Sequence, residues 1–354
     1  MARKIKYHPK HNQPGLFDLT ADIFDTPSDT PDVTDDIHPS ILDFVVKIEK
    51  QKQEADKNTD THKSIEVDRS QLNIPDTLLF MSFGSGSSGN CAYIGTADQG
   101  VLIDAGVDPK RISDTLEANG LNIANVKGIC LTHDHGDHVR YVYAIVRKNP
   151  HIGVYCTPKN LNGILRRHSI SRRIKDYHRP IYKEFPFTVG GLELTAFDVS
   201  HDGTDNAGYF ITRGSHRFTI ATDLGCITPR VDYYMRQARY IMIESNYDAD
   251  MLRQGSYPMH LKARIAADNG HLDNKVTAQF LAEIASPALS HIFLCHLSQD
   301  NNTPELALTA VREALAQAGI TDIGDGSGSL QARSCPIQLA ALPRFEPSLL
   351  SVLR

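Results

Sequence analysis

The sequence predicts an α/β protein in which helices cover two layers of β-sheet. From Leu78 onward, short apolar runs separated by glycine turns alternate with segments that have helix signals, which is typical of strands and helices packed in layers. The chain has 354 residues, of which 41% are hydrophobic and 22% charged. These proportions are those of a globular protein and exclude a fibrous or wholly disordered chain.

The predicted elements extend from residue 78 to residue 318. Strands are expected at 78–84, 91–96 and 100–106. Asp108-Pro109 starts a helix that ends before Gly120, because proline is favoured at the first helical position. A buried strand at 126–132 leads into another helix. Further strands are predicted near 152–156, 181–187, 192–198, 208–212, 217–222, 240–244 and 291–295, and helices near 230–238, 274–286 and 304–318.

Residues 1–76 are predicted to be an acidic, largely disordered extension with a helix at 40–55, and residues 77–354 to be the folded domain. The extension has 10 Lys and Arg against 15 Asp and Glu, so it accounts for the whole net charge of -5. Any affinity of the folded domain for nucleic acid must therefore come from a local patch. The extension is expected either to pack on the folded domain or to bind a partner, such as a replication or repair protein.

The sequence also predicts a cytoplasmic location without membrane association. We find no run of about 18–20 apolar residues that could cross a bilayer, and no apolar segment of a secretory signal near the start. The six cysteines are scattered without a CxxC pair, which fits a reducing compartment.

The segment from Thr132 to His138 predicts a metal site. It holds four candidate ligands directly after a buried strand: His133, His135, Asp137 and His138. Neutral imidazoles and carboxylates are the ligands that zinc, iron and manganese prefer. Three further candidates, His201, Asp223 and His296, each follow an apolar run where a strand would present them at a sheet edge. A solvated histidine-rich loop is the alternative, and the strand context argues against it.

These motifs, together with Asp104 in LIDAG, resemble in content and order the five motifs of the metallo-β-lactamase superfamily, over residues 78–340. The resemblance implies a four-layer αββα sandwich. Within the superfamily, SFGSGSSGNC, IESNYD, NGHLDN and CHLSQDNNTPEL are similar to segments of the YycJ/WalJ group, which is described as 5′-exonuclease or phosphodiesterase-like. Tyr247 and Asp273 depart from that pattern, in which His and Ser are common.

The resemblance implies a ligand set for two divalent metal ions, zinc or manganese. One ion would be bound by His133, His135 and His201, the other by Asp137, His138 and His296, with Asp223 bridging both. Asp104 would support the ligand loop by hydrogen bonding. The implied reaction uses a hydroxide shared by the two metals to attack a phosphodiester.

Other residues are candidates for substrate contacts. By similarity to tRNase Z enzymes, His271 is expected to be a phosphate clamp or general acid, and its alternative role is structural, at a helix start. Glu244 and Asn246 would orient His271 or a metal ligand, or merely cap a strand. The Gly84–Asn90 loop could bind phosphate through Ser87, Ser88 and Asn90, or form a tight turn.

A basic stretch at 164–183 mixes cations with Tyr and His side chains. This mixture favours binding to nucleic acid, although a solvated helix face is the alternative. Its candidate contacts are Arg166, Arg167, Arg172 and Arg173. The sequence therefore predicts a metal-dependent phosphodiesterase acting on nucleic acid, most simply a DNA 5′-exonuclease with Asp137, Asp223 and His271 as catalytic residues. The alternatives are a hydrolase of a small cyclic phosphodiester, thioester or lactam, and a non-catalytic adaptor.

Overall fold

A computed structural model describes residues 76–326 and 335–354. Two β-sheets pack face to face at the centre of these residues, and helices cover the outer face of each sheet. This arrangement confirms the predicted αββα class. The predicted helix at 40–55 and the acidic extension up to residue 75 lie outside the described residues.

The described residues form fifteen strands and nine α-helices. The strands are β1 (Leu78–Gly84), β2 (Cys91–Gly95), β3 (Gly100–Ile103), β4 (Val126–Cys130), β5 (Gly153–Cys156), β6 (His178–Pro180), β7 (Phe187–Val189), β8 (Leu192–Asp198), β9 (Ala207–Arg213), β10 (His216–Ala221), β11 (Tyr240–Glu244), β12 (His291–Cys295), β13 (Ile323–Gly324), β14 (Ile337–Ala341) and β15 (Ser351–Leu353). The helices are α1 (Pro109–Ala118), α2 (Gly136–Val139), α3 (Val142–Lys148), α4 (Pro158–Arg167), α5 (Pro229–Met235), α6 (Ala249–Gln254), α7 (Met259–Ile265), α8 (Asn274–Ile284) and α9 (Pro304–Gln317).

The first sheet has the spatial order β15-β1-β2-β3-β4-β5-β6, and the second has the order β13-β14-β12-β11-β10-β9-β8-β7. Both sheets are mixed. Strands β3 to β6 run parallel to one another, as do β10, β11, β12 and β14, while β9 runs antiparallel to its neighbours β8 and β10. Since β8 and β10 are both antiparallel to β9, they point the same way.

Three apolar layers hold the four structural layers together. Between the sheets, the rings of Phe80, Phe218 and Phe293 are fully or almost fully buried, with ring centroids 4.6–6.0 Å apart. A second apolar layer lies between the first sheet and α1, α3 and α4, and a third lies between the second sheet and α5, α8 and α9. Burial of apolar surface on both faces of each sheet supplies most of the stabilisation.

Two helices begin where predicted because side chains cap their first turns. The Asp108 side chain accepts hydrogen bonds from the backbone N–H groups of Lys110 and Arg111 at the start of α1. Thr303 caps α9 in the same way, and a proline occupies the first turn of both helices. Each cap satisfies N–H groups that have no partner within the helix.

The strand predicted at 181–187 is wrong. The chain leaves the first sheet after β6, crosses over, and enters the second sheet at β7. Within the crossing, the Lys183 ammonium pairs with Asp198 and Asp205, and Glu184 adopts a left-handed conformation with φ of 66°. A residue in that conformation ends a strand rather than continuing it.

The two sheets place the carboxyl ends of several strands along one edge of the sandwich. The ends of β3, β4, β8, β10, β11 and β12 lead into Asp104, the Thr132–His138 loop, His201, Asp223, the segment after Glu244, and His296. Residues from distant parts of the sequence therefore meet at this edge. None of the described helices has the length and apolar content needed to span a bilayer.

Candidate metal centre

Seven side chains of the sheet edge converge on one site. Three of the groupings they form have ligand atoms that all lie within 4.8 Å of one another. One is His133, His135 and His201, another is Asp137, His138 and His296, and a third joins Asp223 to His133 and His138. The first two have the members that the sequence resemblance implies for two metal ions, and the third joins one histidine of each to Asp223, the implied shared carboxylate.

Asp223 lies at the middle of the cluster. Its Oδ2 is 3.1 Å from Nε2 of His138, and its Oδ1 is 3.5 Å from Nε2 of His201 and 3.6 Å from Nε2 of His296. Oδ1 therefore faces one histidine of each candidate ligand group, and Oδ2 faces His138. A carboxylate placed between the two groups could be shared by two metal ions.

The donor atoms fit divalent metal ions. Nε2 of His133 and Nε2 of His296 are buried and have no hydrogen-bond partner among the described residues. Leaving a buried polar atom unpaired is costly, and a metal ion bound at each ligand group would satisfy the atom of that group. A mixed set of imidazoles and carboxylates suits zinc or manganese.

Asp104 contacts the ligand loop, as a supporting residue would. Its buried carboxylate is 2.8 Å from Nδ1 of His138 and accepts hydrogen bonds from the backbone N–H and hydroxyl of Thr132. The Nδ1–H of His138 is thereby directed at the carboxylate, and Nε2 is left facing Asp137 and Asp223.

Glu244 holds two histidines at once. Its Oε1 is 2.8 Å from Nδ1 of His271 and 2.9 Å from Nδ1 of His296, while its Oε2 accepts hydrogen bonds from the backbone N–H groups of Leu224 and Leu272. The carboxylate is completely buried. Because an acceptor occupies Nδ1 of both rings, their Nε2 atoms are directed into the site.

Asn246 supports the same strand end. Its amide Nδ2 donates a 2.6 Å hydrogen bond to the backbone carbonyl of His296 and lies 3.3 Å from Nδ1 of the same ring. Ser85 adds a second anchor, because its hydroxyl accepts a hydrogen bond from the backbone N–H of His296. The position of His296 is therefore fixed from two sides.

The segment 264–271 packs closely against the loops that carry His201 and Asp223. Nδ1 of His201 donates to the carbonyl of Gly270 at 3.0 Å, which leaves Nε2 for a ligand role. A Cβ on Gly225 would lie 2.3 Å from the carbonyl oxygen of Asp268, so a larger residue cannot occupy position 225 without displacing the backbone. The close approach of these backbones fixes the orientation of the His201 ring.

The backbone at the site is strained. Asp104, Asp223 and His296 all have positive φ angles, at 63°, 52° and 54°. Such conformations are rare for residues other than glycine, and cost about 1–3 kcal/mol each. Their concentration at three strand ends of one site points to a functional requirement.

The buried carboxylates and imidazoles of the cluster shift one another's pKa values. Burial would raise the pKa of Asp223, but the charges of His296 and His138 hold it well below its usual range. Burial would in turn lower the pKa of His296, yet Asp223, Asp137 and Glu244 raise it to about 10. Protons on the imidazoles thus balance the carboxylates in the absence of cations, and metal ions would take over that role.

The histidines of the other group behave differently. Burial, together with the neighbouring His138, holds the pKa of His133 well below its usual range. Burial and the neighbouring His201 likewise lower the pKa of His135 to about 4. Both rings are therefore neutral at physiological pH, which is the form that binds metal ions.

The residues expected to bind phosphate occupy mixed positions. Ser87 and Ser88 are exposed in the Gly84–Asn90 turn. Asn90 is buried, and its amide contacts Asp137 and His138 while its Oδ1 accepts from the N–H of Gly86. Asn90 therefore holds the ligand loop, and its phosphate contact stays a prediction.

The basic stretch is partly used within the fold. The guanidinium of Arg167 lies 3.4 Å from the buried carboxylate of Asp134, and Arg166 lies 3.4 Å from the Thr204 hydroxyl. Arg173 pairs with Asp176, whereas Arg172 is exposed on the 3₁₀ turn Arg172–Asp176. The structure thus places Arg166 and Arg167 beside the ligand loop, with the side chain of Arg167 engaged there.

Sequence reasoning missed two residues at the rim of the site. Oδ1 of Asp202 is 3.3 Å from Nε2 of His135 and 3.5 Å from Nε2 of His201, and Oδ2 pairs with the guanidinium of Arg264. Asp202 directly follows a candidate ligand, and this adjacency was an available signal. The sequence around Arg264 carries no comparable motif.

The fold and the cluster define a metal-dependent hydrolase, and the chain belongs to the beta-lactamase superfamily, whose family model (Beta-lactamase superfamily domain) matches residues 99–296. This confirms the family resemblance and the predicted enzyme class.

Named relatives are similar over most of their length. The exodeoxyribonuclease YycJ of Bacillus anthracis is 34% identical over 248 residues, which cover 68% of this chain and 90% of that protein. The exodeoxyribonuclease WalJ of Streptococcus pneumoniae serotype 2 (strain D39 / NCTC 7466) is 31% identical over 242 residues, or 68% of this chain and 88% of that protein. Among solved structures, the metallo-beta-lactamase fold protein YhfI from Bacillus subtilis superposes with a TM-score of 0.56 at 13% identity, over 78% of this chain and 100% of YhfI, a likeness of fold alone.

Proposed function

We propose that the chain is a dinuclear metal-dependent phosphodiesterase that degrades DNA from the 5′ end. The observation that carries the proposal is the pair of candidate ligand groups joined by Asp223. The names of the similar proteins, exodeoxyribonucleases YycJ and WalJ, support DNA as the substrate. The 5′ polarity rests on the resemblance of the sequence motifs and is tested below.

The ligands proposed for one ion are His133, His135 and His201, and those for the other are Asp137, His138 and His296, with Asp223 shared. Two divalent ions, zinc or manganese, would lower the pKa of water and neutralise charge on the phosphodiester. The protein's own part is to hold these side chains in the correct tautomers. Asp104, Glu244 and the carbonyl of Gly270 do so for His138, His296 and His201, respectively, by occupying Nδ1 of each ring.

His271 is suited to hold a proton for the leaving oxygen. Burial would lower its pKa, but the neighbouring Glu244 carboxylate raises it above the usual value. The ring lies between those of His201 and His296, with centroids 5.2 Å from each, and its side chain is 21% exposed. The Nε2–H of a protonated His271 would face the substrate while Glu244 stabilises the positive charge.

A small-molecule hydrolase remains the second candidate, because part of the basic stretch is engaged within the fold. Arg167 pairs with Asp134, Arg173 with Asp176, and Lys183 with two carboxylates. The affinity of metal-free protein for a fluorescent single-stranded oligonucleotide, followed by anisotropy, separates the two candidates. A nuclease retains measurable affinity that falls with salt, whereas the small-molecule hydrolase has no need of it.

The direct test is digestion of 5′-labelled and 3′-labelled single- and double-stranded DNA by purified protein with manganese or zinc. The proposal predicts labelled mononucleotide from the 5′-labelled strand in wild type and none in Asp137→Ala. Labelled mononucleotide released first from the 3′-labelled strand would correct the polarity. Intact DNA, in a preparation with two metal ions per chain, would favour the small-molecule substrate.

A further inference from the structure

The mouth of the metal centre can be identified from which of its side chains remain exposed. His133, His138, His201, Asp223 and His296 are buried. Asp137, His135, Asp202 and His271 instead each expose 19–24% of their side chains. A substrate must therefore approach from the side on which these four residues lie.

Arg264 stands at this mouth. Its Nε and Nη2 lie 2.9 and 2.7 Å from Oδ2 of Asp202, and 46% of the arginine side chain is exposed. The other oxygen of the same carboxylate faces Nε2 of His135 and His201. The carboxylate of Asp202 thus lies between the guanidinium and two candidate metal ligands. The Nη1 group of the arginine takes no part in the pair with Asp202.

The backbone holds Arg264 in this position. The N–H of His271 donates a 2.8 Å hydrogen bond to the carbonyl of Ile265, next to the arginine. A Cβ on Gly270 would lie 2.3 Å from the carbonyl oxygens of both Arg264 and Ile265, so the two backbones are in close contact. The end of α7 is therefore fixed to the loop that carries His271.

We propose that Arg264 binds a phosphate group of the substrate at the mouth of the metal centre, and that Asp202 is the positioning residue that aligns its guanidinium. The inference rests on the proposed phosphodiesterase function and adds a residue to it. The arginine adds a permanent positive charge to a rim whose other residues are Asp137, Asp202, His135 and His271. A guanidinium presents several N–H donors in a plane, so it can keep its bonds to Asp202 and bind phosphate oxygens with the remaining donors.

An ion pair that only attaches α7 to the site is the competing explanation. Arg236 provides a control because it is an ion-paired arginine of similar exposure: it pairs with the carboxylates of Asp232 and Glu283 and is 43% exposed. It lies at the end of α5 and contacts none of the candidate ligands. If phosphate binding fell merely because an ion-paired arginine was lost, Arg236→Ala and Arg264→Ala should weaken it alike.

The test measures the binding of inorganic phosphate to manganese-loaded protein by isothermal titration calorimetry, with metal content determined on the same samples. Arg264→Ala is expected to weaken phosphate binding about tenfold or more, Arg264→Lys by a smaller factor, and Arg236→Ala not at all, because a charge-assisted bond is lost only at Arg264. All variants should keep the wild-type metal content. If the alanine variant does not fold, Arg264→Lys decides the question.

Phosphate affinity within about twofold of wild type in both Arg264 variants would overturn the proposal, because the loss of a charged contact should weaken binding by more than that factor. Wild-type protein that binds no phosphate would overturn it as well. Loss of metal from folded Arg264→Ala would also overturn it, because the arginine would then serve the ligand loop. Failure of wild-type protein to cleave DNA is a separate result. It would refute the proposed nuclease function, and an Arg264-dependent phosphate site would stand.

Discussion

Replacement of Glu244 by glutamine changes one atom and removes one buried charge. In the wild type, all four hydrogen bonds of this carboxylate are accepted from donors, two from Nδ1 of His271 and His296 and two from backbone N–H groups. A glutamine amide must place its NH₂ group against one of these donor pairs. If it faces the histidines, Nδ1 must become an acceptor, and the proton moves to Nε2 of His296, where it blocks a metal ion.

The size of the effect follows from this geometry. A hydrogen bond to a charged group contributes about 1.5–3 kcal/mol, and loss of a partner that orients a ligand costs about 10–100-fold in metal affinity. We therefore expect Glu244→Gln to bind the ion at the Asp137, His138 and His296 group about 10–100-fold more weakly. The ion bound by His133, His135 and His201 should be affected much less, because none of these residues contacts Glu244 directly.

Competition with a chromogenic chelator measures both affinities. Glu283→Gln is the matched control, because Glu283 is exposed and pairs with Arg236 away from the site. The weaker metal binding should lower the activity of Glu244→Gln, and part of that activity should return at high metal concentration. If the two metal affinities of Glu244→Gln equalled those of wild type, the role assigned to Glu244 would be refuted.

Three further predictions concern the ligand loop, pH and the extension. Gly106 packs against the ligand loop, and Gly106→Ala should unfold at a markedly lower temperature and hold less metal, because its Cβ would lie 1.6 Å from the carbonyl oxygen of Asp137. Gly136→Ala, within the loop itself, meets only an atom 3.6 Å away and should leave the unfolding temperature almost unchanged. The pKa of His296 is raised to about 10, so without metal the ring is protonated below that pH and must lose its proton before it can bind a metal ion. Metal affinity should therefore keep rising from pH 7 to pH 9, by up to about tenfold per pH unit, and calorimetry should detect the released proton. Affinity that levels off above pH 7 would contradict this. Deletion of residues 1–75 should leave turnover on free DNA unchanged, because the contacts of the candidate centre among the described residues lie between residues 85 and 296. Loss of turnover by a folded deletion protein would show a catalytic role for the extension.

The sequence was most informative where local chemistry decides the structure. Asp108-Pro109 and Thr303-Pro304 start helices through caps and fixed proline angles, and both helices begin where predicted. The ligand loop was equally visible, because four candidate ligands lie within six residues after a buried strand. Strand order brings the remaining candidates to the same edge, and the family motifs had suggested that grouping.

Features that depend on contacts between distant segments could not be predicted in this way. The strand β15 pairs with β1, so that Leu353 lies opposite Leu78, and no local pattern indicates such a partner. Arg264 reaches the site because Gly225 and Gly270 allow backbones to approach closely. The contact of Arg167 with Asp134 could not be predicted for the same reason, since Asp134 lies 33 positions earlier in the sequence.

A stepwise titration of metal-free protein with Mn²⁺, with hydrolysis of 5′-labelled DNA measured at each step, tests the dinuclear centre most directly. Two ligand groups that share Asp223 predict little activity up to one equivalent and full activity at two, with neither step in Asp223→Ala. Activity that is complete at one equivalent, or that persists in Asp223→Ala, would contradict a reaction that needs both ions.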